Sequence, residues 1–148
     1  MVYPRVKSNV QVPDGTPNGT LFVCVAQCYG VEPRENPDHP ASLEDCARGY
    51  WSIKNLHAAK GEDCSWLMAH RYGRILGVWK IDRRKGKNGW MDPNDTPKET
   101  WPNDRPGPES QRVGCELIPV DDQTWNRFYN KEVHLGRTPN PVRGYFTE

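Results

Sequence analysis

The sequence predicts an α+β fold built on a mostly antiparallel sheet, curled toward a partial β-barrel and flanked by short helices. Three observations lead there. Residues 65–82, SWLMAHRYGRILGVWKID, hold two apolar runs on either side of Tyr72-Gly73, the spacing of a β-hairpin in which Gly73 supplies the turn. Residues 20–29, TLFVCVAQCY, are dominated by β-branched and aromatic side chains and stop at Gly30 and the prolines beyond, as a central strand does. The helical periods elsewhere are short, too few to cover both faces of a sheet, which favours curling.

The elements follow in order. Residues 1–19 carry Pro4, Pro13, Gly15, Pro17 and Gly19 and read as an irregular lead-in; residues 20–148 read as one domain. At 148 residues there is room for a single core and little for a second. The first strand is expected over 21–27. Ser42 followed by Asp45 starts a helix over 43–50, with Leu43, Cys46, Ala47 and Tyr50 on one face. The period continues through Ile53, Leu56 and Ala59 to Gly61, a second short helix. The hairpin strands are expected at 66–69 and 75–81. Residues 83–111 contain Pro93, Pro97, Pro102, Pro106 and Pro108 among polar residues and form a long loop, of a length that is usually functional or disordered. A strand over 113–118 follows. Asp121 or Asp122 then caps a helix over 124–130 whose Trp125, Phe128 and Tyr129 share a face, and an extended tail closes the chain.

Composition narrows the function. Twenty Lys and Arg against nineteen Asp and Glu leave a formal charge of +1, which excludes a globally basic nucleic-acid coat or a polybasic membrane anchor but permits a regional basic face. No apolar stretch approaches the length of a membrane span, and the amino end lacks a secretory signal, so the expected location is cytoplasmic with no membrane partner. Five cysteines at irregular spacing favour reduced, structural thiols. Cys24 and Cys28 are four apart, yet no second Cys or His pair follows at finger spacing, so no metal or other cofactor is expected. Phosphate-binding loops, dinucleotide fingerprints, HExxH and GxSxG are all missing from the sequence. Among the scattered histidines, His70 stands out because it ends a core strand beside Arg71.

The aromatic residues carry the remaining signal. Trp66, Trp79 and Trp125 sit in strand or helix patterns and read as core. Trp90 and Trp101 lie in the polar loop, where an indole either folds back onto the domain or faces a ligand, because leaving it bare forgoes about 2 to 3 kcal/mol of burial. Trp51, after the first helix, can plug the core or line a pocket. Positive charge gathers from Arg71 to Lys87, as a solvated face or as a phosphate-binding rim; phosphate contact needs cations, and capture of an unstacked base needs aromatic planes. Arg83, Arg84, Lys85 and the later Arg112 are the phosphate candidates.

The run WLMAHRYGRILGVWKID resembles the central hairpin of the PUA-like superfamily, especially its YTH and EVE branches, in which a strand of the form G-x-I-x-G-V-x-x-I recurs. The order of features agrees over residues 20–145: Trp51 after a short helix, loop tryptophans Trp90 and Trp101, the Arg-led strand RVGCELIPV, a helix and a closing NPVR segment. The proline-rich loop departs from the compact YTH form. The resemblance implies a curled sheet whose pocket accepts a flipped modified base, with Trp51, Trp90 and Trp101 as walls and Gln27, Cys28 or Tyr29 reading the base edge. The expected function is therefore a non-catalytic module that binds DNA or RNA carrying a modified base. The alternatives are a small nucleoside or nucleotide hydrolase, as the related ASCH branch implies, and a protein that binds a free nucleotide.

Overall fold

The computed structural model describes residues 11–25, 43–49, 51–52, 63–92, 112–136 and 142–147. Its elements in chain order are β1 (Thr20–Cys24), α1 (Leu43–Arg48), β2 (Trp51–Ser52), β3 (Trp66–Arg71), β4 (Arg74–Ile81), β5 (Trp90–Met91), β6 (Arg112–Cys115), β7 (Leu117–Pro119), α2 (Asp122–Phe128) and β8 (Val142–Tyr145). They build a five-stranded sheet ordered β7-β4-β3-β1-β8 and a three-stranded sheet ordered β2-β6-β5. All pairings are antiparallel except β1 with β3. The α+β class and the mostly antiparallel sheet therefore stand, whereas the described strands form two open sheets and no closed barrel.

Both faces of the large sheet are buried, contrary to the expectation that the helices are too few. Side chains alternate along each strand. Leu21, Val23, Leu67, Ala69, Trp79 and Ile81 share one core with Cys46 and Ala47 of α1 and with Trp90 and Cys115 of the small sheet. Phe22, Met68, Ile75 and Val78 share the other with Phe128 of α2 and with Val133. The small sheet does on the first face what a further helix would otherwise have to do. Leu21, Phe22, Leu67 and Met68 have no exposed surface, so each contributes about 1.5 to 3 kcal/mol of burial.

Two local irregularities set the details. Between Ala69 and His70 the β3–β4 register shifts, so that Ala69 faces Gly77 while His70 faces Ile75. The extra residue on β4 puts Ile75 and Val78 on the same face although they are three apart, as a β-bulge does. The expected single strand over 113–118 is two strands: β6 pairs with β2 and β5, and β7 pairs with β4. The chain changes sheets at Glu116, whose carbonyl accepts from Asp82 N at 2.9 Å. Buried Arg48 fastens α1 at this corner, 2.7 Å from Asp45 and 3.6 Å from Glu116.

The helices begin close to their expected places and end early. Asp121 is the N-cap of α2, its side chain accepting from Thr124 N at 2.7 Å, and hydrogen bonds from the Thr124 side chain and backbone hold its carboxyl below the usual range. The helix then spans Asp122–Phe128. The first helix stops at Arg48. The expected second helix and Ser42 lie outside the described residues. The tail contains a strand, β8, which pairs with β1. The expectation of reduced cysteines holds for Cys24, Cys64 and Cys115, which are free, and fails at Cys46, which is disulfide-bonded. Among the described residues no helix is long and apolar enough to cross a membrane.

Candidate functional site

The expected site residues fall into separate groups, and the small sheet collects one of them. Trp51 pairs with Val113 and Trp90 with Cys115, on opposite sides of β6. Val113 and Cys115 are two apart, so all four side chains lie on one face of this sheet, the face that packs on the first core. The backbones of Trp51 and Trp90 are thus two strands and two residues of register apart, about 12 Å by the usual strand spacing and rise.

Their exposure differs. Trp90 is 7% exposed and belongs to the core, so of its two alternatives the ring takes the one that folds back onto the domain. The turn before it explains why. Lys87 N donates to Trp90 O at 2.8 Å, Trp90 N to Lys87 O at 3.0 Å, and Gly89 N to Lys85 O at 2.9 Å. Gly86 has φ of 58° and lies so close to the Trp90 backbone that a Cβ would overlap it. This part of the expected long loop, residues 83–92, is accordingly an ordered turn leading into β5. Trp51 is only partly buried, and its Nε1 donates to Ala47 O at 3.0 Å, tying the ring to the end of α1. With the indole N–H engaged, what Trp51 offers a ligand is its π-face. Arg112, the neighbour of Val113 on β6, is exposed and pairs with Ser52. Arg112 is therefore one register position from Trp51 but on the opposite face of the small sheet.

The basic turn is a second, distant group. Asp82, 6% exposed, accepts from Arg84 through its backbone N at 3.2 Å, its Nε at 2.9 Å and its Nη2 at 3.1 Å. The hydrogen bonds from the Arg84 side chain hold the Asp82 carboxyl below the usual carboxylate range, and the Asp82 carboxylate in turn raises the pKa of the Arg84 guanidinium. Arg84 is a structural clamp of the turn before it is anything else. Arg83 donates to Ser65 Oγ at 3.2 Å, and Lys85 is exposed. The expected basic rim from Arg71 to Lys87 is divided: Arg71 and Arg74 flank one end of the β3–β4 hairpin, and residues 83–87 follow its other end.

The base-edge candidates Gln27, Cys28 and Tyr29, and the wall candidate Trp101, lie outside the described residues. Val25, just past β1, donates its N–H to His70 O at 3.0 Å. That is the hairpin-tip end of the sheet, away from the basic turn. His70 pairs with Cys24 across the parallel β1–β3 ladder, and its ring meets Phe22 edge-on at 6.4 Å. Burial pushes its pKa down to about 4, so the ring is neutral and a weak base. Burial likewise pushes the Cys64 thiol up to about 12 and the Cys115 thiol higher still, which makes both inert.

Sequence reasoning missed two features. One is the Arg48–Asp45–Glu116 cluster; nothing in the sequence couples residues so far apart. The other is Tyr72, which is 86% exposed at the hairpin tip; its signal is a bulky residue where a two-residue turn usually has Asn or Asp.

No protein-family model, curated protein or solved structure matches the chain.

Proposed function

We propose that this chain is a non-catalytic nucleic-acid-binding module of PUA-like type, which takes an unstacked, modified base against Trp51. The observation that carries the reading is Trp51 itself: a partly open indole on edge strand β2 whose N–H is already engaged by Ala47 O. A π-face accepts any base, which supplies the stacking that single-strand binding needs, and the exposed cations of the 83–87 turn supply charge for the phosphate backbone. Extruding a base costs a few kcal/mol, and stacking on an indole returns about 1 to 3 kcal/mol of it. Catalysis has weaker support, because the buried thiols are held protonated and His70 is a weak base.

Titration of the protein with single-stranded DNA and RNA, each with and without modified bases and beside free nucleotides, tests the reading. Oligonucleotides are expected to bind, a modified one more tightly, and Trp51→Ala to weaken binding by about 1 to 3 kcal/mol. Replacing Arg83 and Lys85 together should weaken binding of every sequence and flatten its salt dependence, since phosphate contacts release counterions without reading bases. Affinity for free nucleotides alone, or for no nucleic acid at any salt concentration, overturns the proposal.

A further inference from the structure

The tip of the β3–β4 hairpin holds a residue that folding does not account for. Arg71 pairs with Arg74 across a two-residue turn, and both central residues, Tyr72 and Gly73, have positive φ, 53° and 76°. Such a turn favours Asn, Asp or Gly at its first position, because a bulky side chain in the left-handed region crowds its own backbone. The chain obeys this preference elsewhere: the other non-glycine residues with positive φ among the described residues are Asn88 and Asn130. At the tip it places a tyrosine instead, and the ring is 86% exposed, so burial returns nothing for the unfavourable backbone.

The ring is also firmly mounted. Val133 N donates to Gly73 O at 2.9 Å, Ile75 N to Lys131 O at 3.0 Å, and Asn130 N to Ile75 O at 2.7 Å, so residues 130–133 brace the turn from behind. Arg74 reaches the same segment, donating to Asn130 O at 2.9 Å and pairing with Glu132 at 3.4 Å. The Arg71 guanidinium lies 5.4 Å from the Tyr72 ring centroid. A braced aromatic plane with the Arg71 guanidinium at its base suits a π-stacked, negatively charged ligand. It does not suit an apolar protein partner, which needs a contiguous patch; the other exposed large apolar residues among those described are Ile118, out on edge strand β7, and Tyr129, already stacked on Trp125.

We propose that Tyr72 stacks on an unpaired base of a single-stranded nucleic acid, with Arg71 beside it for the adjoining phosphate. The inference rests on the nucleic-acid reading above and adds a contact separate from Trp51. β4 spans eight residues, so this contact lies about 23 Å from the basic turn at the other end of the hairpin, and a strand touching both runs the length of the hairpin.

The test measures folding stability and binding of a single-stranded oligonucleotide carrying 2-aminopurine, whose fluorescence is quenched by stacking, for the native protein, Tyr72→Asn and Tyr72→Phe. Tyr72→Asn should melt about 2 °C higher, because Asn tolerates the left-handed backbone, yet bind about tenfold more weakly with less quenching. Tyr72→Phe should bind and quench like the native protein. If Tyr72→Asn binds and quenches normally while Trp51→Ala does not, this inference falls and the Trp51 reading survives. If the native protein binds no oligonucleotide, both fall. A Tyr72→Asn protein less stable than native would make the tyrosine structural and also overturn the inference.

Discussion

His70 is where pH reaches the fold. Its pKa is about 4 in the native protein against an ordinary 6.5, and burial is the cause. Between those values an unfolded chain binds a proton that the folded one refuses, so stability falls as pH drops from about 6.5 to about 4, by roughly 3 kcal/mol at most, and His70 adds no further loss below that. Asp82 and Asp121 act in the opposite sense and lower: their carboxyls are held below 3.8 by hydrogen bonds, so their contributions are present above that value and vanish only in stronger acid. Denaturant titrations of the native protein and His70→Gln across this range should show a steeper loss of stability in the native protein between about pH 6.5 and 4; equal slopes would mean that the imidazole is not protected. At this scale the sequence is legible only in part. It marked His70 and the Asp121 cap, because both sit at the ends of strongly patterned elements. It left Trp90 open between core and ligand, because the burial of that ring is decided by the 82–90 turn, which depends on Gly86 and on the Asp82 carboxyl rather than on hydrophobic period.

The hairpin shows the same division at the level of elements. Its existence and turn follow from alternation around Tyr72-Gly73, but the bulge at Ala69/His70 does not, since one extra residue changes which side chains share a face without changing composition. Gly77 is the companion of that bulge. The Trp79 indole lies over it, so a Cβ there would overlap the ring, and Trp125 blocks retreat, packed edge-on against Trp79 at 5.6 Å. Gly77→Ala should therefore destabilise the protein by about 1 to 3 kcal/mol, as overpacking does, and red-shift tryptophan emission if the indole is displaced toward water; unchanged stability would show that the ring has room to move. Residues 113–118 read as one strand in the sequence for a related reason. Val113, Cys115 and Leu117 keep the same alternation through the corner at Glu116, so period alone cannot reveal that the chain has passed from one sheet to another. The Arg48–Glu116 ion pair that fixes the corner is long-range and leaves no local mark.

The whole molecule is organised around β1. It is fully buried at Leu21, Phe22 and Val23 and lies between β3, reached through the segment that holds α1 and β2, and β8. Gly19 N donates to Tyr145 O at 2.9 Å and Thr147 N to Asn18 Oδ1 at 2.7 Å, so the β1–β8 seam continues past the ladder. Deleting residues 142–148 should abolish cooperative unfolding and expose the β1 amides to rapid hydrogen exchange, whereas slow exchange in the truncated protein would show that β3 alone suffices to hold the strand. The seam also bears on synthesis. β1 leaves the ribosome early, but one of its two neighbours is made about 120 residues later, and a pairing so distant in sequence is slow to form. Until β8 emerges, the nascent chain carries its most apolar strand with a bare edge, the feature that recruits chaperones or seeds aggregation. A ribosome stalled upstream of Val142 would thus hold out a chain that has every residue of β1 and only one of that strand's two partners.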